Sequence, residues 1–447
     1  MQVLSAGDSE RQQRGFAGSL RSAGLRAGDR VAFVLTGSTA LVSATLGALR
    51  TGVVPVMFDP ALPSLERAAM LADADPALVV ESQSALEALI EGDPVELSEF
   101  PLARPMHYTS GTTGRRKGVW SGLLDDEGAR SLVAEEQVLW GFRPEDRHLV
   151  VSPLHHSAPL RFAAGTLLAG GQIAVVPRFD GQAFIAALAQ VRPTSIFCAP
   201  AHLQRLFAEV DEGAPLPDLS GVRLVAHAGA PCPEPLKRRL IDTFPDGSVW
   251  EFYGSTEGQF TACSAADWIS HPGTVGRARP GRAITVDADG TIWCAAPPYA
   301  RFSYWRDPEK TQRSWRQDAF TVGDLGRLDD EGFLYLDGRR DDLLLSGGVN
   351  VYPLEVEQAF ASCPGVAEIA VFGRADDRWG QRVCAAYVGT AAGDDLKSWA
   401  MARLLPASRP KEYHQVAVLP TTSAGKIRRT TLAADLGLGA DDVDDDG

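Results

Sequence analysis

The chain has 447 residues, too many for one ordinary hydrophobic core, so two or more domains are expected. Hydrophobic residues at 45% and charged residues at 22% are the balance of a soluble globular protein. A formal charge of -14 argues against nucleic acid as a partner through any general basic surface; anionic ligands would have to rely on local cations or helix N-termini.

The first residues, MQVLSAGDSERQQRG, lack the apolar run of a signal peptide. The apolar stretch 31–49 is broken by Thr36-Gly37-Ser38-Thr39, short of the roughly 20 unbroken apolar residues of a membrane span. A cytoplasmic protein without a membrane span is expected. Along the chain, short β-branched runs at 31–35, 53–57, 78–80, 149–151, 173–176, 195–198 and 224–226 read as strands. Between several of them, stretches such as 41–50, 184–190 and 202–210 carry helical spacing. That alternation predicts an α/β fold of layered, mostly parallel sheets covered on both faces.

From about 276 to 336 the texture changes to short alternating strands separated by Asp289-Gly290 and Asp330-Glu331-Gly332, suggesting a small antiparallel sheet or distorted β-barrel. A second segment follows, with a helix at 353–361 and strands at 368–372 and 415–418, which is expected to form a small, mobile α+β domain. The expected division is a large N-terminal domain over 1–337, a hinge at 338–342 and a C-terminal domain over 343–434. The acidic end, 435–447, is expected to be solvated and disordered. The six cysteines are scattered without a CxxC pair and without histidines at metal-ligand spacing, so buried free thiols are expected.

The most specific segment is Tyr108-Thr109-Ser110-Gly111-Thr112-Thr113-Gly114-Arg115-Arg116-Lys117-Gly118. Glycines let backbone N–H groups converge on anionic oxygens, Thr109, Ser110, Thr112 and Thr113 add hydroxyl donors, and Lys117 adds charge, a set that suits a polyphosphate. A flexible surface linker has a similar composition. A P-loop does not fit, because Lys117 lies between Arg116 and Gly118 rather than between Gly and Ser or Thr.

This loop resembles the phosphate-binding signature of the adenylate-forming superfamily, which includes acyl-CoA synthetases, aryl-CoA ligases and peptide-synthetase adenylation domains. The chain departs from the usual pattern in carrying Arg116 where the family has Pro, a change of loop stiffness more than of chemistry. Further segments resemble family motifs in the family's order, from about Ala27 to Leu432. The resemblance implies that Gly229, Ala230 and Pro231 lie along the adenine. In Glu251-Phe252-Tyr253-Gly254-Ser255-Thr256-Glu257 it implies that Tyr253 and Gly254 meet the adenine, that Thr256 donates to phosphate or acyl oxygen, and that Glu257 holds Mg²⁺. Asp324 would accept from the ribose hydroxyls, although Val322 stands where the family more often has Ser or Thr. Arg339 would lie near ribose and phosphate, and Asp341 at the hinge. The paired Gly347 and Gly348 would border the channel of a coenzyme A pantetheine, and Lys426 would be the catalytic lysine.

The resemblance extends to Pro153-Leu154-His155-His156-Ser157-Ala158-Pro159, and implies an acyl pocket with His156, Ala158, Phe162, Ala228 and Gly254. Each of these also suits an ordinary core helix or turn, and Arg161 suits either a second substrate carboxylate or a surface ion pair. The implied reaction is adenylation of a carboxylic acid by ATP with Mg²⁺, release of pyrophosphate, and transfer of the acyl group to coenzyme A. The residues leave open a carrier-protein phosphopantetheine or an amine as acceptor, and a non-catalytic nucleotide-binding protein on the same fold.

Overall fold

The computed structural model describes residues 2–109, 116–376, 379–421, 427 and 429–438. The chain divides into two compact units. The first comprises 1–229, 240–284 and 293–322; the second comprises 230–239, 285–292 and 323–447.

The first unit holds two large sheets. In one, the strands Gln172–Val175, Arg147–Val150, Ser195–Cys198, Leu224–His227 and Val249–Glu251 run parallel in that order. Antiparallel strands close it, with Gln2–Ser5 at one edge and Thr261–Ser264 then Arg277–Ala278 at the other. In the second sheet, Leu78–Val80, Arg30–Val34, Val54–Phe58 and Met106–Thr109 are parallel, and Lys117–Trp120 and Ser303–Tyr304 add antiparallel strands.

The strand residues of Val54–Phe58 and Leu224–His227 are buried throughout, which is why these runs read as continuous apolar stretches without alternation. The helix Thr39–Leu49 is buried on every side, starts on the Ser38 hydroxyl, which accepts from the Leu41 N–H, and packs on Ala6–Ser22 within the core of Phe16, Phe33, Leu46 and Ile173. The expected helices appear as Thr39–Leu49, Gly181–Val191 and Pro200–Asp211.

The stretch 276–336 forms short antiparallel strands dispersed over several sheets. Arg277–Ala278 and Ser303–Tyr304 extend the two large sheets, because two-residue strands gain more ladder hydrogen bonds at an existing edge than in a small separate barrel. Ile292–Ala295, Ala319–Phe320 and Trp315–Arg316 pair with one another. Among the described residues, no helix is long and apolar enough to cross a membrane.

In the second unit, Asp324–Leu328 and Leu334–Arg339 form a hairpin. A five-stranded sheet follows in the order Val349–Val351, Leu344–Ser346, Gly380–Gly389, Val366–Asp376, with Glu412–Gln415 beside Gly380–Gly389. Helices Pro353–Phe360 and Gly393–Arg403 cover one face around Val356, Phe360, Val371 and Leu396, and Arg429–Asp435 covers the other around Phe372, Ala386 and Leu432. Pro353 opens its helix at the first turn, where the absent N–H costs nothing. Of the acidic end, 435–438 is described and 439–447 lies outside the described residues.

Candidate active site

Thr109 and Lys117 end the two strands of a hairpin and face each other in register, bracketing the phosphate-loop positions. Ser110, Gly111, Thr112, Thr113 and Gly114 lie outside the described residues. The Thr109 hydroxyl donates to the Lys117 carbonyl at 3.5 Å, and the Lys117 ammonium lies 2.8 Å from the Asp307 carboxylate. That hydrogen bond holds the Asp307 carboxyl below the usual carboxylate range. Arg116 pairs with Glu66.

Tyr253, Gly254, Thr256 and Glu257 follow the strand Val249–Glu251. The Tyr253 ring is buried, with its centroid 4.7 Å from that of Phe260. Gly254 bridges to Gln259 in a tight turn. Glu257 is buried, and the Tyr304 hydroxyl donates to its Oε1 at 2.8 Å. Tyr304 sits on the short strand paired with Lys117–Trp120, three residues before Asp307. The segment 303–307 thus ties Lys117 and Glu257, distant in sequence, to one short stretch of chain. No motif in the sequence marked Tyr304 or Asp307.

Glu257 suits Mg²⁺. Among the described residues no cation pairs with it, a buried carboxylate keeps acceptor lone pairs beyond the one Tyr304 uses, and hard oxygen donors are what the ion prefers.

Arg161, on the helix Ser157–Leu168, forms the expected ion pair with Glu136, but inside the unit rather than at its surface. It lines a cavity of about 340 Å³ whose wall also includes Ser157, Leu160, Gly165 and Thr256. His156, Ala158, Phe162, Ala228 and Gly254 are not part of that wall. Phe162 is fully buried among Trp140, Phe197 and Phe252, and Ala158 and Ala228 belong to the same cluster. His156 lies against His155 with ring centroids 4.3 Å apart, and burial lowers the His155 pKa.

In the second unit, Asp324 and Arg339 face each other across the hairpin, the guanidinium Nε donating to Asp324 Oδ1 at 2.9 Å. Asp341 lies in a single 3₁₀ turn, Arg340–Asp342. Gly347 and Gly348 are the two turn residues between Leu344–Ser346 and Val349–Val351, with φ of +59° and +79°, as a two-residue hairpin of the primed type requires. Gly229 has φ +95°, and Ala230 and Pro231 follow it. Lys426 lies outside the described residues, between Thr421 and Ile427, which pair as an isolated antiparallel bridge. Arg429 then anchors the next helix, donating to both oxygens of Glu357 at 2.6 and 2.8 Å and to Asp342 at 3.2 Å.

Cys384, Glu412 and His414 are close enough to hold a metal ion. Arg374 and Arg382 already pair with Glu412, and burial pushes the Cys384 thiol up to about 12, so the group reads as an ion-pair cluster.

The family model of AMP-binding enzymes matches residues 2–101 and 105–294, and that of the AMP-binding enzyme C-terminal domain matches 355–426. The chain is an AMP-binding enzyme. It is 31% identical to a feruloyl-CoA synthase of Amycolatopsis sp., over 95% of this chain and 92% of that one. This AMP-binding enzyme also superposes on the o-succinylbenzoate CoA synthetase (MenE) of Bacillus subtilis in complex with the acyl-adenylate intermediate OSB-AMP. The TM-score is 0.83 at 25% identity, covering 95% of this chain and 92% of the other. Against the complex of the same synthetase with ATP and magnesium ion, the TM-score is 0.80 at 26% identity, with 94% and 92% covered.

Proposed function

We propose that this AMP-binding enzyme is an AMP-forming acid–thiol ligase that adenylates a carboxylic acid with ATP, releases pyrophosphate, and transfers the acyl group to coenzyme A. The observation that carries the reading is the shared anchoring of Lys117 and Glu257 on the segment 303–307, in the unit whose acid-sized cavity Thr256 lines. Relatives named as CoA ligases favour coenzyme A over a carrier protein or amine as acceptor.

A carboxylate is a poor electrophile, and attack of its oxygen on the α-phosphorus makes a mixed anhydride whose leaving group is AMP. Little acid–base chemistry is needed; the protein must align two anions and neutralise developing charge. Thr109, Ser110, Gly111, Thr112, Thr113, Gly114 and Lys117 would cradle the phosphates. The turn Gly229-Ala230-Pro231 with Tyr253 and Gly254 would take the adenine, and Asp324 with Arg339 the ribose. Thr256 would donate to the carboxylate being activated. Bound at Glu257, Mg²⁺ supplies positive charge to the departing pyrophosphate.

Lys426 would bridge the substrate carboxylate and the α-phosphate. Rotation about 338–342, with Asp341 absorbing the backbone change, would exchange it for the Gly347-Gly348 turn along the pantetheine. The protein is placed in the cytoplasm, where ATP and coenzyme A are available.

Exchange of labelled pyrophosphate into ATP over a panel of acids, followed by thioester formation with coenzyme A, tests the reading. Lys426→Ala is expected to lower exchange by on the order of a hundred- to a thousand-fold while sparing thioester formation from preformed acyl-adenylate. Equal loss of both half-reactions would contradict this division of labour.

A further inference from the structure

The helix Ser64–Ala74 carries no motif residue, yet it reaches both strands that bracket the phosphate-loop positions. Glu66, Met70 and Asp73 share one face of it by their helical spacing. Met70 is buried in a cluster with Phe58 and Met106, against which Tyr108 and Trp305 also pack. The two acids on either side of Met70 make separate contacts. Tyr108, next to Thr109, donates its hydroxyl to Asp73 Oδ2 at 2.7 Å. Glu66 pairs with Arg116, next to Lys117. The Trp305 indole donates to the Asp73 carbonyl at 2.9 Å, so the segment that ties Lys117 to Glu257 rests on the same helix.

Asp73 occupies the last turn of its helix, where the macrodipole disfavours a carboxylate; the acid serves the hairpin rather than the helix. Arg116 stands where similar loops carry Pro. A proline ring fixes φ and an arginine does not, and an ion pair to a helix outside the loop restores part of that constraint. The Arg116 and Glu66 side chains are 29% and 38% exposed, so their pair adds little to global stability and its consequence is local. The adjacent cations Arg116 and Lys117 are each held by a carboxylate of their own, Glu66 for one and Asp307 for the other.

We infer that Glu66 and Asp73 are positioning residues of the phosphate site: from one helix face they fix the strand ends that present Thr109 and Lys117 to a polyphosphate. Both act through the hairpin rather than on the nucleotide. The inference rests on the ATP-binding role proposed above for that hairpin.

The test compares calorimetric binding of ATP with magnesium and of AMP, which lacks the β- and γ-phosphates, on the full chain. Glu66→Gln, Arg116→Gln, their double variant and Tyr108→Phe are measured beside the wild type. Each single variant is expected to weaken ATP binding about two- to five-fold, the range of a partly exposed ion pair or one hydrogen bond, with AMP binding and Tm nearly unchanged. The double variant is expected to bind ATP no more weakly than Glu66→Gln alone, because the two side chains share one interaction. A general loss of structure would move ATP and AMP together. Unchanged ATP binding in the variants, equal losses for ATP and AMP, or additive losses in the double variant overturns the inference. Should the Glu66 variant fail to fold, Tyr108→Phe, which removes a single hydroxyl, decides by the same ATP-to-AMP comparison. A wild-type protein that binds ATP no more tightly than AMP overturns the inference as well. ATP binding of the expected pattern without ATP–pyrophosphate exchange leaves this inference standing and removes the adenylation reading.

Discussion

His148 offers a direct measure of how completely the core of the first unit excludes water. It lies on the strand Arg147–Val150, fully buried, with Nδ1 2.9 Å from the Ser195 hydroxyl and its ring stacked on Phe162. Burial pushes its pKa down to about 3; the Asp146 carboxylate opposes this and the Arg223 guanidinium supports it. An unfolded histidine titrates near 6.5. Because the folded value is the lower one, the contribution to stability is present above about pH 6.5 and is lost as pH falls toward 3. At pH 5 the unfolded chain holds nearly one extra proton at this site, which removes about 2 kcal/mol relative to pH 7. His148→Gln can keep the hydrogen bond to Ser195 and cannot titrate. Hydrogen exchange of peptides covering Arg147–Val150 and Ser195–Cys198, read in urea at the two pH values, isolates this unit. The variant is expected to be less stable at pH 7 through lost ring packing, yet to lose about 2 kcal/mol less on acidification. Parallel pH dependence in the two proteins would refute the burial argument.

Arg279→Met leaves Glu135 and Glu136 without their shared cation in a site where Arg279 is 1% exposed. A loss of about 3 kcal/mol is expected, or a fall in Tm of roughly 6–12 °C by calorimetry. Gly347→Ala places a Cβ 2.8 Å from the Trp379 ring at φ +59°. It should destabilise the second unit by about 1–2 kcal/mol and slow thioester formation more than pyrophosphate exchange. Glu257→Gln retains an acceptor for Tyr304 while removing the charge that suits Mg²⁺. Exchange is expected to fall by on the order of a hundred-fold, with a higher magnesium requirement in the titration.

Much of the fold was legible because it is written locally. Fully apolar runs announced strands covered on both faces, and the helix pattern at 184–190 became Gly181–Val191. The strand expected at 415–418 is Glu412–Gln415, because its partner is the long strand Gly380–Gly389, whose register no local pattern in 412–418 encodes. The site was legible only as far as its motifs reached. Lys117 and Glu257 stood out in their loops, whereas Asp307 and Tyr304 look like ordinary residues of a charged, aromatic stretch.

The sequence alone determined the alternation of strand and helix, the glycine turn at Gly347-Gly348 and the order of the motif segments, since each depends on neighbours a few residues apart. Tertiary structure decided which distant groups meet. Arg104, Arg161 and the neighbours Arg279 and Arg282 come from three separate segments and share one cavity only because the folded chain brings those segments back together within the first unit. Whether an arginine is a solvated surface charge or an unbalanced buried cation depends on the water around it, and composition carries no record of that.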